Sequence, residues 1–233
     1  GKDPVAIEAT FRCQATHVEL WDAVTGCARR VVAPRVTNGR TTMPLVLPSF
    51  GSTFVVFRDR PSGLPAPAPE ALRPLAELAG PWQVAFDPQW GGPQQVAFPV
   101  LVDWTQRPEA GIRHYSGTAT YANEFAVADP AARLFLDLGG VRELAEVRVN
   151  GRSLGILWCP PFRIELTPAL KAGRNHLEID VVNFWPNRII GDAALPAAQR
   201  LTRTNVRKLT AKTPLMPSGL LGPVRLMVPA DPR

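Results

Sequence analysis

The chain has 233 residues, enough for one large domain or two small ones with a substantial core, and its 45% apolar and 20% charged residues are those of a globular protein. Pro 25 and Gly 18 favour many short strands and turns over long helices, and no apolar run approaches the length of a membrane span. A formal charge of +6 can attract nucleic acid, anionic lipid or an acidic polymer without choosing among them, while Cys13, Cys27 and Cys159 lack the CxxC or Cys/His spacing of a zinc site and are too few for a disulfide framework.

From Val5 to Arg58 the pattern is strand, turn, strand, with turn signals at Thr25-Gly26 and Asn38-Gly39 and an apolar run in "STFVVFRD". It predicts roughly three to five antiparallel strands. The first residues already enter a strand, so segment 1–59 is expected to be the C-terminal part of a β-sandwich domain, unable to close a sandwich alone. Prolines then cluster from Pro61 to Pro74, which reads as a Pro-rich linker over 60–79 ending in a short turn of helix.

A second domain, 80–233, opens at Gly80-Pro81 with the apolar strand of "GPWQVAFD" and carries about eight candidate strands. Alternation places Leu134, Leu136 and Leu138 on one face, sets Val147 and Val149 against Glu146, Arg148 and Asn150, and sets Leu177, Ile179 and Val181 against His176, Glu178 and Asp180. Asn150-Gly151 supplies the positive φ angles of a two-residue hairpin. The fold class expected is all-β, an antiparallel sandwich with one buried and one wet face per sheet. The helix-like segment of this half runs near Ala194 to Arg207. The spacing of Arg200, Arg203, Arg207, Lys208 and Lys212 would align several of them on one face of a short helix, a solvated stripe in the favoured reading and a phosphate-binding track or acidic-partner site in the alternatives.

Chemistry is sparse. There is no GxGxxG or GxxxxGK[ST] loop, no HExxH and no GxSxG elbow. The carboxyl pairs Glu143/Glu146 and Glu178/Asp180 look like wet strand faces, and neither Ser116 near His114 nor Cys159 has the partners of a nucleophile. Aromatic residues offer more, because an indole flanked by Asn, Arg or Asp can both stack on a sugar and hydrogen-bond to its rim. Trp90, Trp104, Trp158 and Trp185 sit at strand ends, where they either cap the core or meet a ligand. In "NFWPNRIIGD", Asn183, Trp185, Asn187, Arg188 and Asp192 are expected to form a polar loop, with Pro186 stopping the strand. A clasp of Asn side chains and an Arg-to-Asp pair leads, ligand contact follows, and catalysis comes last. The candidate carbohydrate-binding residues are therefore Trp90, Trp158, Asn183, Trp185, Asn187, Arg188 and Asp192; catalytic and metal-ligating candidates are none.

At these residues a resemblance emerges. "GTATY", the run from "LDLGGVRELAEVRVNGRSLGILWCPPFRIEL" through "NFWPNRIIGD", and "PSGLLGPVRL" resemble the C-terminal part of α-L-rhamnosidase-type glycoside hydrolases of family 106. The core of the match is also similar to the galactose-binding-like sugar-binding domain of family 2 glycosidases, and "VELWDAVTG" with "RTTMPLVLPSFGSTFVVFRD" is similar to the β-sandwich preceding it. The resemblance implies a galactose-binding-like jelly-roll domain at 80–233. It also implies that the catalytic carboxylates belong to an upstream barrel this chain does not match, so no catalytic residue is carried over. Arg203 and Val206 stand where relatives carry aromatics, which argues against stacking there.

The function implied is a non-catalytic scaffold of an α-L-rhamnosidase-like enzyme with carbohydrate contact second; a free-standing carbohydrate-binding module or an interaction domain for an acidic partner are the alternatives. The partners implied are the upstream catalytic barrel and a plant- or bacterial-type rhamnose-containing glycan, with no nucleic acid and no membrane. No cofactor is expected, although a structural calcium is compatible with such sandwiches. No stretch resembles a signal peptide, so a periplasmic or secreted parent protein would take its export signal from outside this sequence.

Overall fold

The computed structural model describes residues 3–64, 71–205 and 207–230; the proline-rich run 65–70 of the expected linker, and Val206, lie outside the described residues. Two compact units make up the chain, 1–70 and 71–233.

In the first unit, β1 (Val5–Phe11), β2 (His17–Trp21), β3 (Ala28–Arg30), β4 (Arg35–Thr37), β5 (Arg40–Leu47) and β6 (Phe54–Arg58) form two three-stranded sheets, ordered β1-β5-β4 and β3-β2-β6. All neighbours are antiparallel. Asn38 and Gly39, both at positive φ, turn β4 into β5 as their dipeptide predicts. Alternation along β2 and β5 turns Val18, Leu20, Met43 and Leu45 inward onto Ala9, Phe11 and Phe57. The two sheets thus enclose a small core of their own, with more strands than the pattern suggested, because three-residue strands such as β3 and β4 are too short to show a period.

The second unit contains β7 (Leu72–Glu77), β8 (Trp82–Phe86), β9 (Val96–Phe98), α1 (Ala110–Arg113), β10 (Thr118–Val127), β11 (Phe135–Asp137), β12 (Gly140–Arg142), β13 (Leu144–Val149), β14 (Arg152–Leu157), β15 (Arg163–Glu165), β16 (Gly173–Val182), α2 (Pro186–Ala193), β17 (Gly219–Gly222) and β18 (Arg225–Pro229). A six-stranded sheet, β14-β13-β16-β10-β8-β9, faces a four-stranded one, β15-β11-β18-β7, and β12 pairs with β17. The all-β antiparallel sandwich read from the sequence is the observed fold. Its core gathers Trp82, Val84 and Phe86 from β8, Tyr121 from β10, Val147 and Val149 from β13, and Leu177, Ile179 and Val181 from β16 against Leu136 and Leu226 of the opposing sheet. Among the described residues, no helix is long and apolar enough to cross a membrane.

Three local expectations are corrected. Leu72–Glu77, read as the end of a linker and a helical turn, is strand β7 at the edge of its sheet. Pro74 is tolerated there because an edge strand has a free side and because the register against β18 slips between Leu226 and Met227. The polar loop expected after Asn183 is helix α2, with Pro186 in its first turn, where its missing N–H costs nothing. Among the described residues the helix expected near Ala194–Arg207 is not found: a 3-10 turn, Ala197–Gln199, is followed by chain without helix, so the described basic residues from Arg200 onward do not share a helix face.

The β13–β14 hairpin turns on Asn150 (φ 53) and Gly151 (φ 79). A Cβ on Gly151 would meet no atom within 4 Å, so only the backbone opposes a side chain there. Gly151→Ala is expected to cost about 1 kcal/mol, seen as a lower urea midpoint at constant slope; an unchanged midpoint would mean the turn tolerates relaxation.

Candidate functional site

The site is built where β16 runs out. Asn183, buried, closes the strand end against two distant segments: its Oδ1 accepts from Gly117 N (3.0 Å), and its Nδ2 donates to the Tyr115 carbonyl (2.9 Å) and Ser218 Oγ (3.0 Å). In the first turn of α2, Asn187 repeats the arrangement, donating to the Met216 carbonyl (2.7 Å) and Ser218 Oγ (3.0 Å) and accepting from Met216 N (2.8 Å). Ser218 Oγ in turn donates a hydrogen bond to the Met216 carbonyl (3.0 Å). Nothing in this knot is left unsatisfied, as a polar cluster under a sheet end must be. The clasp reading of "NFWPNRIIGD" therefore holds for Asn183 and Asn187.

Ser116 extends the clasp. Its Oγ donates to the Phe184 carbonyl (2.9 Å) and accepts from Arg188 N (3.2 Å), so it fixes the start of α2 and has no proton to spare for a nucleophile's role. Tyr115 joins the neighbouring strand end by donating to the Thr118 carbonyl (2.8 Å) and accepting from Asp87 N (3.1 Å). Asp87 in turn caps the 3-10 turn Pro88–Trp90, which carries Trp90.

Between these elements lies a cavity of about 270 Å³ walled by Trp90, Trp185, Val182, Ile189 and Arg188, with Ser116, Gly117, Asn183 and Thr202 completing it. Trp185 is 74% exposed and Trp90 43%, so two indoles stand at its mouth. Arg188 is buried beneath them and donates Nη1 to the Trp90 carbonyl (3.3 Å). Its Nε lies 3.7 Å from Asp192 Oδ1, an ion pair without a hydrogen bond among the described residues. Burial pushes the Arg188 guanidinium down from its ordinary range, and the Asp192 charge acts in the opposite direction. Asp192 Oδ2 accepts from Thr202 N (2.7 Å) and Oγ1 (2.6 Å), which draws the irregular segment after α2 onto the cavity rim.

Of the seven sequence candidates, Trp90, Asn183, Trp185 and Arg188 meet at this cavity. Asn187, only 1% exposed, is spent on the Met216–Ser218 segment, and Asp192 faces an adjoining cleft. Trp158 follows β14 at the same end of the sheet, since Leu157 lies level with Ala145 and Val181, but it does not line the cavity. Trp104 is wholly inside the core. Ile189 and Thr202 carry no signal in the sequence, and Ser116, weighed there only as a nucleophile, is not among the ligand-contact candidates.

No carboxylate is found among the described residues lining the cavity, so a pair of acids flanking a glycosidic bond has no place there. The carboxyl pair Glu178/Asp180 lies on the wet face of the large sheet, gripped by Arg148, which reaches Asp180 at 2.6 and 3.0 Å and Glu178 at 3.3 Å. Burial opposes ionisation of Asp180, yet hydrogen bonds from Arg148 and Thr120 hold its carboxyl below the usual carboxylate range. Among the described residues no group of three or more His, Cys, Asp or Glu is arranged to hold a metal ion, and all three cysteines are free.

No family model matches the chain. Over 97% of its length it is similar to a rhamnosidase from Novosphingobium sp. PP1Y, at 38% identity and a TM-score of 0.83, and it covers 22% of that chain. It is 36% identical over 178 residues to the "Putative beta-glucuronidase" of Formosa agariphila, a match covering 65% of this chain and 15% of the relative. A beta-glucuronidase from an uncultured Clostridium sp. aligns with 50% of this chain and 23% of its own, at 24% identity and a TM-score of 0.42. The chain thus spans less than a quarter of these relatives' lengths. The likeness implied by the sequence motifs, to one part of a larger rhamnosidase-type glycoside hydrolase, is the likeness found.

Proposed function

We propose that this chain, built over nearly its whole length like one part of a rhamnosidase, is a non-catalytic β-sandwich region of an α-L-rhamnosidase-type glycoside hydrolase, a scaffold for its catalytic barrel that also touches the glycan. The observation that carries the glycan contact is the cavity in which Trp185 and Trp90 stand exposed over Arg188, with no carboxylate among the described residues lining it. Exposed indoles match the C–H faces of a sugar ring, and the Arg and Asn groups beneath can address its hydroxyls. The wall behind them is held by the Asn183–Ser218 knot, so little order has to be gained on binding.

The test is a tryptophan-fluorescence titration of the 233-residue chain with rhamnose-containing oligosaccharides. Trp185→Ala is expected to weaken binding by about tenfold or more, with an unchanged urea midpoint because the ring is exposed. Equal affinity of the two proteins would remove the cavity from glycan binding. Turnover of an aryl rhamnoside by this chain, abolished by replacing one of its own acidic residues, would overturn the non-catalytic reading.

A further inference from the structure

The charge of this chain is concentrated in one place. Residues 193–230 hold Arg200, Arg203, Arg207, Lys208, Lys212 and Arg225 and no acidic residue, so this stretch alone matches the +6 of the whole chain and the remainder is balanced. Arg200, Arg203 and Arg207 are not strung along a helix. They surround a cleft of about 660 Å³ that lies beside α2. Asp192 is the only acidic residue among the described residues lining it, and that carboxylate is already engaged by Thr202 and Arg188. A concave surface with several guanidinium groups and no free counter-charge focuses an attractive field on anions, and the guanidinium fork matches carboxylate and sulfate oxygens.

The cleft adjoins the aromatic cavity. Ile189 and Thr202 line both, so an indole-walled space and an arginine-walled one lie on either side of the same two residues. The geometry points to a specific ligand class for these adjoining spaces: an acidic oligosaccharide, one sugar stacked at Trp185 and Trp90 and a carboxylate or sulfate substituent of a neighbouring sugar held among Arg200, Arg203 and Arg207. This inference rests on the glycan-contact reading above and narrows it. It assigns to the basic segment the recognition of charge, and to the cavity the recognition of the ring.

The experiment titrates the 233-residue chain with four probes followed by tryptophan fluorescence: oligogalacturonate, a sulfated galactan oligosaccharide, a neutral rhamno-oligosaccharide and oligothymidylate. At low salt at least one acidic sugar is expected to bind about tenfold more tightly than the neutral one, an advantage that added salt erodes. The two acidic arms tell carboxylate from sulfate. The double variant Arg203→Glu with Arg207→Glu should bring acidic-sugar affinity down to the neutral level while leaving the neutral sugar and the urea midpoint untouched, since both side chains are exposed. Trp185→Ala should weaken both kinds of sugar.

Equal affinity for acidic and neutral sugars, or indifference of acidic-sugar binding to the double variant, overturns the inference and leaves the glycan-contact reading standing. Silence toward every sugar removes that reading as well. Oligothymidylate bound as tightly as the acidic sugars would mean a general polyanion surface instead.

Discussion

Trp104→Ala is expected to cost about 3–5 kcal/mol, among the largest losses any single substitution can produce in this chain. The indole has no exposure, packs edge-on against Phe86 (centroids 5.3 Å apart) and Tyr115 (5.7 Å), and donates Nε1 to the Tyr121 hydroxyl at 2.6 Å. Burial pushes the Tyr121 hydroxyl pKa up, so that group stays a neutral partner over the accessible pH range. The backbone of Gly219, at φ 99, lies against the ring so closely that a Cβ there would sit 2.5 Å from Nε1. Alanine at 104 therefore leaves a void walled by rings and by β17, and these cannot all collapse into it. Trp104→Phe, which keeps a ring and loses the N–H, should cost clearly less. Urea denaturation followed by circular dichroism measures both; equal losses would mean that the hydrogen bond rather than the volume dominates.

Asp192→Ala is expected to destabilise by a similar amount, about 3–5 kcal/mol. The substitution strands the Arg188 guanidinium beneath the two indoles and releases Thr202, whose N–H and hydroxyl both depend on Asp192 Oδ2. The damage should come from the uncompensated charge. Replacing both partners, Arg188→Met with Asp192→Leu, should then cost less than Asp192→Ala alone, because apolar groups of similar volume need no counter-ion. A double variant as unstable as the sum of its singles would show that the two charges are not coupled and that the Thr202 contacts carry the effect.

Much of the sandwich was legible because it obeys short-range rules. Leu134, Leu136 and Leu138 are all buried, as are Val147, Val149, Leu177, Ile179 and Val181, and every one had been placed by a period of two. The Asn150-Gly151 turn follows from backbone chemistry alone. Two of the three corrected elements share a cause: proline ends a strand or helix in most contexts, but not at these positions. Pro74 sits in an edge strand beside a slipped register, and Pro186 sits in the first turn of a helix whose Asn187, Arg188 and Asp192 are polar yet buried. A buried polar helix defeats hydropathy, because its partners are contributed from elsewhere.

The site was half legible for the same reason. Sequence could nominate indoles beside Asn and Arg, and four of the seven nominees do meet. It could not say that Trp90 arrives through a turn capped by Asp87, or that Thr202 is drawn in by Asp192. The contact between Arg188 and the Trp90 carbonyl spans 98 positions, and no local pattern encodes such a distance.

The pairing of β7 with β18 carries a topological consequence. Leu72 stands opposite Pro229, and Ala230 donates its N–H to the Ala71 carbonyl at 2.7 Å, so the entrance and the exit of the second unit lie side by side on one sheet edge. A body whose doorways adjoin can be set into a longer polypeptide, or lifted out of one, through a short joint and without rethreading any strand. An engineer can graft such a body as one piece.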